Sequence, residues 1–172
     1  MKRIIKPLIL VIVLGLFTYL SYGVITKTQQ KNKIANILKT IPEFSFKTLD
    51  NNDFTNTDLD AHSATVFIYF NTECDYCQNE AQSISKNILQ FKDVQLLFVS
   101  TEPIEIIKAF ANNYNLLNQP KITFLHDYTR TFSTRFDANS IPFLLVYNKK
   151  QVLIKKHKGQ LKAEAIFKLL EN

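Results

Sequence analysis

Cysteine is scarce in this chain of 172 residues, which contains only Cys74 and Cys77. Two cysteines are too few for a disulfide-stabilised scaffold, and a structural zinc site needs four ligands. The three histidines do not supply the missing ligands, because His62, His126 and His157 are not at ligand spacing from the pair or from each other. With no third cysteine near the N-terminus, a lipoprotein attachment site is excluded as well. The composition therefore favours a working pair of thiols.

Outside the N-terminus, basic residues exceed acidic residues by only a small number. The net charge is +6, but three of the 21 basic residues are Lys2, Arg3 and Lys6, and all 15 acidic residues lie beyond residue 26. The isoelectric point of 9.2 therefore comes partly from the N-terminus and does not indicate a nucleic-acid partner. Repeats and low-complexity tracts are absent from the sequence.

The two cysteines lie close together at a predicted junction between a strand and a helix. They belong to the segment Thr72-Glu73-Cys74-Asp75-Tyr76-Cys77. A Cys-x-x-Cys at such a junction puts the first sulfur at the helix N-terminus, where unpaired N–H groups and the macrodipole favour the reactive thiolate. A structural disulfide closing so short a loop would remove only about 2 kcal/mol of chain entropy. We therefore predict a redox-active pair, with a structural disulfide, a zinc site that recruits a histidine and a chance pair of buried thiols as alternatives.

The N-terminal segment has the length and composition of a membrane anchor. Residues 7–25 are nineteen uncharged residues, mostly apolar, that follow a basic cluster. At a rise of about 1.5 Å per residue they can span the bilayer core as one transmembrane helix. A cleaved signal peptide with Ser21-Tyr22-Gly23 near its cleavage site is the alternative, but the run exceeds a usual h-region. The basic cluster is predicted to stay inside and the remainder to be exported.

The sequence predicts three parts. They are a membrane anchor or signal sequence in residues 1–26, a tether in residues 27–40 and one domain in residues 41–172. The domain alternates strands and helices, which predicts an α/β fold with a mixed central sheet and helices on both faces. The predicted elements are a hairpin around residues 50–53, strands 66–70, 94–100 and 122–125, helices 74–90, 103–114 and 128–136, a hairpin of strands 142–147 and 152–157, and a helix through Leu161 to Leu170.

Four motifs in this domain carry a resemblance to a known family. They are Ile41-Pro42-Glu43-Phe44-Ser45-Phe46, the segment from Phe70 to Glu80, Ser140-Ile141-Pro142-Phe143 and Lys158-Gly159. Over about residues 41–171 the chain resembles the thioredoxin fold, and within it the membrane-tethered TlpA-like thiol-disulfide oxidoreductases of bacterial envelopes. The resemblance implies that Cys74 is the nucleophile and Cys77 the resolving thiol. It also implies that the Ile141–Pro142 bond is cis and faces the cysteines.

Glu80 and three further residues complete the predicted site. Glu80 follows Cys77 by three residues, and in TlpA-like reductases a glutamate at this place helps to move protons during reduction. The resemblance therefore implies a catalytic role for Glu80, with a solvated surface residue as the alternative. Tyr76, Ile141 and Pro142 are predicted to contact the substrate. We expect no cofactor.

Two departures from the family concern charge. Many thioredoxins have a tryptophan before the first cysteine and a buried aspartate in the preceding strand, where this chain has Glu73 and Ile68. Glu73 and Asp75 flank Cys74 with carboxylates, and no basic residue lies between residues 62 and 86. These carboxylates disfavour a thiolate, which predicts a reducing pair. Asp75 also fits a capping-box pattern with Thr72.

Three functions are consistent with these residues. The first is a reductase of disulfides in exported proteins such as apocytochromes, anchored in the inner membrane of a bacterium with its domain on the periplasmic side. A transmembrane thiol electron donor would then keep it reduced. The second is a copper chaperone that binds Cu(I) through Cys74, Cys77 and His126. The third is a thiol peroxidase, although the threonine of Asn71-Thr72-Glu73-Cys74 has the wrong spacing.

Overall fold

The computed structural model describes the backbone of residues 2–171 and the side chains of residues 15–171. The chain divides into two compact units, one ending at Ile37 and one beginning at Leu38. Helix α1 (Lys2–Leu38) forms the first unit, so most of the predicted tether is helical. The predicted membrane span, residues 7–25, lies partly outside the described side chains. Among the residues that are described, no helix has the length and apolar character needed to cross a membrane.

The second unit is built on one mixed sheet of seven strands. Their order across the sheet is β2-β1-β5-β4-β3-β6-β7. Strands β3, β4 and β5 are parallel, and the other neighbours are antiparallel. The strands are β1 (Ser45–Thr48), β2 (Asp53–Thr55), β3 (Ala64–Tyr69), β4 (Val94–Ser100), β5 (Ile122–His126), β6 (Phe143–Tyr147) and β7 (Leu153–Lys158). The helices are α2 (Asp75–Lys86), α3 (Ile104–Asn113), α4 (Phe132–Arg135) and α5 (Ala163–Leu170).

Three of these helices pack on the same face of the sheet. Because β3, β4 and β5 lie side by side in chain order, right-handed crossovers put α2 and α3 on one face. Alternate residues of β3, Val66 and Ile68, belong to the core on this face. The core contains buried side chains from all three helices, among them Ile84 of α2, Ile107 of α3 and Ile166 of α5. This layer anchors the helix that carries Cys77.

The other face of the sheet is covered mainly by aromatic side chains. Phe67, which points away from the helical core, has ring centroids 5.5 Å from Phe44, 5.1 Å from Phe136 and 6.0 Å from Phe132. Phe132 lies on α4, which is the short helix on this side. Such ring pairs add to the stabilisation that burial of apolar area provides.

The predicted α/β fold with a mixed sheet and helices is confirmed. The N-terminal hairpin is present, with Lys47 opposite Asp53. Two helices are shorter than predicted. The helix after the cysteines ends at Lys86 and is followed by a separate 3-10 turn, residues 88–90. The helix predicted over residues 128–136 is limited to Phe132–Arg135.

Candidate active site

Cys74 lies where the loop after β3 meets helix α2. It is the N-cap residue of α2, and no side chain caps this end of the helix. The Cys74 side chain is half-buried, and its Sγ lies 4.0 Å from the carbonyl oxygen of Ile141. The first N–H groups of a helix have no intrahelical partner, and together with the macrodipole they favour a negative charge at this place. The position is the one that an attacking thiolate requires.

Cys77 lies in the first turn of α2 and faces the core. Its side chain is 2% exposed, and neither cysteine is in a disulfide. Burial raises the pKa of the Cys77 thiol, and the Cys74 thiol and the Glu80 carboxylate raise it further, while a backbone hydrogen bond at Asn71 lowers it. The two thiols therefore differ in access, because a bulky disulfide can reach Cys74 but not Cys77.

Glu80 is buried one turn further along α2. Its side chain has no exposed surface. Oε1 accepts a hydrogen bond of 3.1 Å from the backbone N–H of Leu161, and Oε2 has no partner among the described residues. Burial raises the pKa of Glu80 to about 8, although the Leu161 hydrogen bond lowers it. At neutral pH the carboxyl group is therefore mostly protonated, and the alternative of a solvated surface residue is wrong.

The three predicted substrate contacts differ in exposure. Tyr76 is 65% exposed and Ile141 is 41% exposed, whereas Pro142 is buried. The Ile141–Pro142 bond is cis, as the resemblance implies. The carbonyl oxygen of Pro142 accepts a 2.9 Å hydrogen bond from the N–H of Gly159, whose φ of +88° favours glycine. Tyr76 and Ile141 are thus exposed apolar side chains, and their contact with a substrate stays a prediction.

Glu102 contacts the loop before Cys74, and no sequence motif indicated this residue. The backbone N–H and the hydroxyl of Thr72 donate to Glu102 at 2.8 and 2.9 Å. The capping box predicted for Thr72 and Asp75 is therefore wrong, because the Thr72 hydroxyl is bound elsewhere. A sequence signal existed: Glu102 follows β4, and the ends of parallel strands β3 and β4 meet at the same edge of the sheet.

His126 and Asp127 lie at the end of β5. Asp127 is buried and has a structural role, since its carboxylate accepts backbone hydrogen bonds from Thr131 at 3.0 Å and from Phe132 at 2.7 Å. These bonds form the turn that shortens α4. In the part of the chain that the structure describes, no group of three or more His, Cys, Asp or Glu side chains is placed to hold a metal ion. His126 is therefore not brought to the cysteines as a copper ligand.

Comparison with solved structures agrees with this fold. A secreted Mycobacterium tuberculosis disulfide oxidoreductase homologous to E. coli DsbE is 20% identical, with a TM-score of 0.61 over 78% of this chain and 93% of that one. A putative thioredoxin from Neisseria meningitidis is 25% identical, with a TM-score of 0.62 over 76% and 86%. StoA from Bacillus subtilis is 16% identical, with a TM-score of 0.59 over 76% and 98%.

Sequence comparison supplies the family. No curated protein sequence matches the chain. The model of the AhpC/TSA family matches residues 37–162, which include both cysteines, Glu80 and the loop that carries the cis bond. Most of the chain is covered by this match. With a thioredoxin-like fold and a free dithiol at the start of α2, the chain belongs to the AhpC/TSA family as a thiol-disulfide oxidoreductase.

Proposed function

We propose that the protein is a membrane-tethered reductase that opens disulfides in exported proteins, for example apocytochromes. The observation that carries the reducing direction is the charge around the dithiol. Glu73 and Asp75 are exposed on either side of Cys74, and neither forms an ion pair among the described residues. The Glu80 carboxylate raises the pKa of Cys77. The two exposed groups that flank Cys74 are both acidic, and their charge disfavours a thiolate.

The charges set the direction through the stability of the reduced protein. A dithiol whose thiolates are stabilised is a poor electron donor, and its disulfide is a strong oxidant. In this site the helix N-terminus favours a thiolate on Cys74, while the flanking carboxylates oppose it. Burial opposes a thiolate on Cys77. The reduced form is thus weakly stabilised, and the pair gives its electrons to a substrate disulfide.

The reaction proceeds by two thiol-disulfide exchanges. The Cys74 thiolate attacks one sulfur of the substrate disulfide, a mixed disulfide forms, and the other substrate sulfur leaves as a thiolate. Cys77 then gives up its proton and attacks the Cys74 sulfur, which releases the second substrate thiol. Two electrons have passed to the substrate, and Cys74 and Cys77 are joined as a disulfide. Glu80 in its carboxylate form is the proposed acceptor of this proton, and its electrostatic effect on the pKa of Cys77 supports that role.

A thiol electron donor must return two electrons to the oxidised pair, and the membrane is its proposed location. Support for the tether comes from the uncharged residues 7–25 after the basic residues Lys2, Arg3 and Lys6. The catalytic domain would lie on the periplasmic side of the inner membrane of a bacterium, where exported proteins acquire disulfides. A transmembrane donor would then reach the domain from the same membrane.

Three assays on the purified protein distinguish the proposed functions. We expect it to catalyse the reduction of insulin disulfides by dithiothreitol, and Cys74→Ser to remove this activity. Consumption of peroxide with dithiothreitol and titration with Cu(I) test the peroxidase and the copper chaperone. Insulin reduction at background level, combined with rapid peroxide consumption or tight Cu(I) binding, would contradict the reductase. Fractionation of cells that express the full chain tests the tether separately, and a protein recovered only in the soluble fraction would contradict it.

A further inference from the structure

We propose that Glu102 is a positioning residue for Cys74, and that it acts by holding Thr72 in the loop that leads to α2. This inference deepens the proposed reductase function because it concerns the same thiol. Glu102 is not part of the Cys-x-x-Cys segment and follows Cys74 by 28 residues along the chain. Its effect on Cys74 would pass entirely through hydrogen bonds to the loop.

Both oxygens of the Glu102 carboxylate are used. Oε2 accepts the backbone N–H of Thr72 at 2.8 Å and the hydroxyl of Ser100 at 3.1 Å. Oε1 accepts the Thr72 hydroxyl at 2.9 Å. Hydrogen bonds to a carboxylate are about twice as strong as those between neutral groups, and a two-point contact also fixes orientation. The carboxylate therefore holds Thr72 at two atoms.

The carboxylate is itself held in place. Ser100, the last residue of β4, is 1% exposed, and its hydroxyl also accepts the backbone N–H of Glu102 at 3.2 Å. Strand β4 is central in the sheet and pairs with β3, the strand from which the Cys74 loop emerges. Glu102 thus ties the loop to a rigid element, which is what a positioning residue needs.

Thr72 passes this restraint on to the cysteines. Its carbonyl oxygen accepts a 2.8 Å bond from the Gln78 side chain, so every polar group of Thr72 is occupied. On the other side of Thr72, the carbonyl of Asn71 accepts the N–H of Cys74 at 3.4 Å, and the Asn71 side chain accepts the N–H of Glu73 at 2.9 Å. The residues from Asn71 to Cys74 form one bonded loop whose fixed point is the Glu102 contact.

Loss of the contact would allow a competing arrangement. Without the hydroxyl bond to Glu102, Thr72 is held by Glu102 through its backbone N–H alone, so α2 could begin two residues earlier. Cys74 would then lie inside the first turn instead of at its open end. Its sulfur would lose alignment with the unpaired N–H groups of α2, and its thiolate would be less favoured.

The test is the rate at which iodoacetamide alkylates Cys74, measured against pH in a Cys77→Ser background. Thr72→Val removes the hydroxyl without changing any charge. We expect it to slow alkylation about tenfold at neutral pH, within the range seen for misplaced reacting groups, and to move the pH dependence upward by about one unit. Glu102→Ala is expected to slow alkylation as well. Thr72→Ser, which keeps the hydroxyl, and Glu105→Gln, an exposed carboxylate on α3, should stay within twofold.

Two results would overturn the inference. The first is alkylation within twofold of the parent in both Thr72→Val and Glu102→Ala. The second is a change in Glu102→Ala but not in Thr72→Val, which would mean that the hydrogen bond between the Thr72 hydroxyl and Glu102 does not position Cys74. If Glu102→Ala does not fold, the Thr72→Val and Thr72→Ser pair decides the question alone. Alkylation needs no substrate, so the result is independent of whether the protein reduces disulfides of exported proteins.

Discussion

Replacing Cys77 with serine should convert the protein into a trap for its substrates. Cys74 is accessible and Cys77 is 2% exposed, so we expect Cys74 to make the first attack and the buried thiol to resolve the mixed disulfide. Without Cys77 the second exchange cannot occur. We expect disulfide-linked adducts to accumulate on Cys77→Ser in cells, and insulin reduction to fall to background. Non-reducing gel electrophoresis followed by reduction of the adducts measures both their amount and their identity.

Two matched variants make this experiment decisive. Cys74→Ser and the double variant should form no adducts, because the remaining Cys77 is buried or absent. Adducts on Cys74→Ser but not on Cys77→Ser would reverse the two roles. The adducts also identify the substrate class, since exported proteins that contain cysteine pairs are expected among them.

Replacing Glu80 with glutamine should slow the resolving step about 100-fold, the lower end of what general acid–base groups contribute. Cys77 must lose a proton before it attacks, and its pKa is raised by burial. Glu80, with a pKa of about 8, is the buried group that we propose to take that proton. In the wild-type protein the rate of resolution should increase as the pH rises through 8, because the carboxylate form becomes more abundant. Glutamine cannot titrate, so this increase should disappear. The resolving step is measured in a single turnover, as the release of a chromogenic thiol from its mixed disulfide with Cys74.

The same substitution has an expected effect on stability with a defined sign. Burial raises the pKa of Glu80 from its ordinary value of 4.5 to about 8, so the folded protein keeps a proton that the unfolded chain releases. Between pH 4.5 and 8 the unfolded state therefore binds fewer protons, and this group destabilises the fold increasingly as pH rises. Relative to wild type, Glu80→Gln should gain stability from pH 5 to pH 8. Urea unfolding at several pH values measures the difference.

Glu73→Gln is the control for both measurements. Glu73 is an exposed carboxylate next to Cys74, so its neutralisation changes the charge near the site without removing a buried titrating group. If Glu80→Gln shows the wild-type pH dependence of both resolution and stability, Glu80 does not titrate in the way its burial requires.

The parts of the fold that were predictable rest on local patterns. The apolar run of residues 94–100 predicts both ends of β4 correctly. A central strand is covered on both faces, so its apolar character is visible in its own sequence. The Cys-x-x-Cys pair was recognisable for a similar reason. Its chemistry depends on two cysteines three residues apart and on the helix that begins beside them, and both are local features of the sequence. The alternation of strands and helices then led to a mixed α/β sheet.

The parts that were not predictable depend on contacts between distant residues. Helical register puts Glu80 on the side of Cys77, but its burial depends on the segment before α5, whose Leu161 donates to it from 81 residues away. The capping box failed because Glu102, 30 residues from Thr72, takes the hydroxyl that the pattern assigned to the helix. The short helix α4 begins late because Asp127 binds the backbone of the turn before it. Each of these contacts joins two elements, and no single segment encodes it.

The reduction potential of the Cys74 and Cys77 pair tests the central claim most directly. It is obtained by equilibrating the protein in glutathione buffers of known ratio and quantifying the free thiols. The acidic surroundings of the pair predict a value near that of thioredoxin, about −270 mV, which would make the protein a donor to most disulfides in exported substrates. A value near the −120 mV of the strong oxidant DsbA would contradict the account and make the protein a disulfide donor.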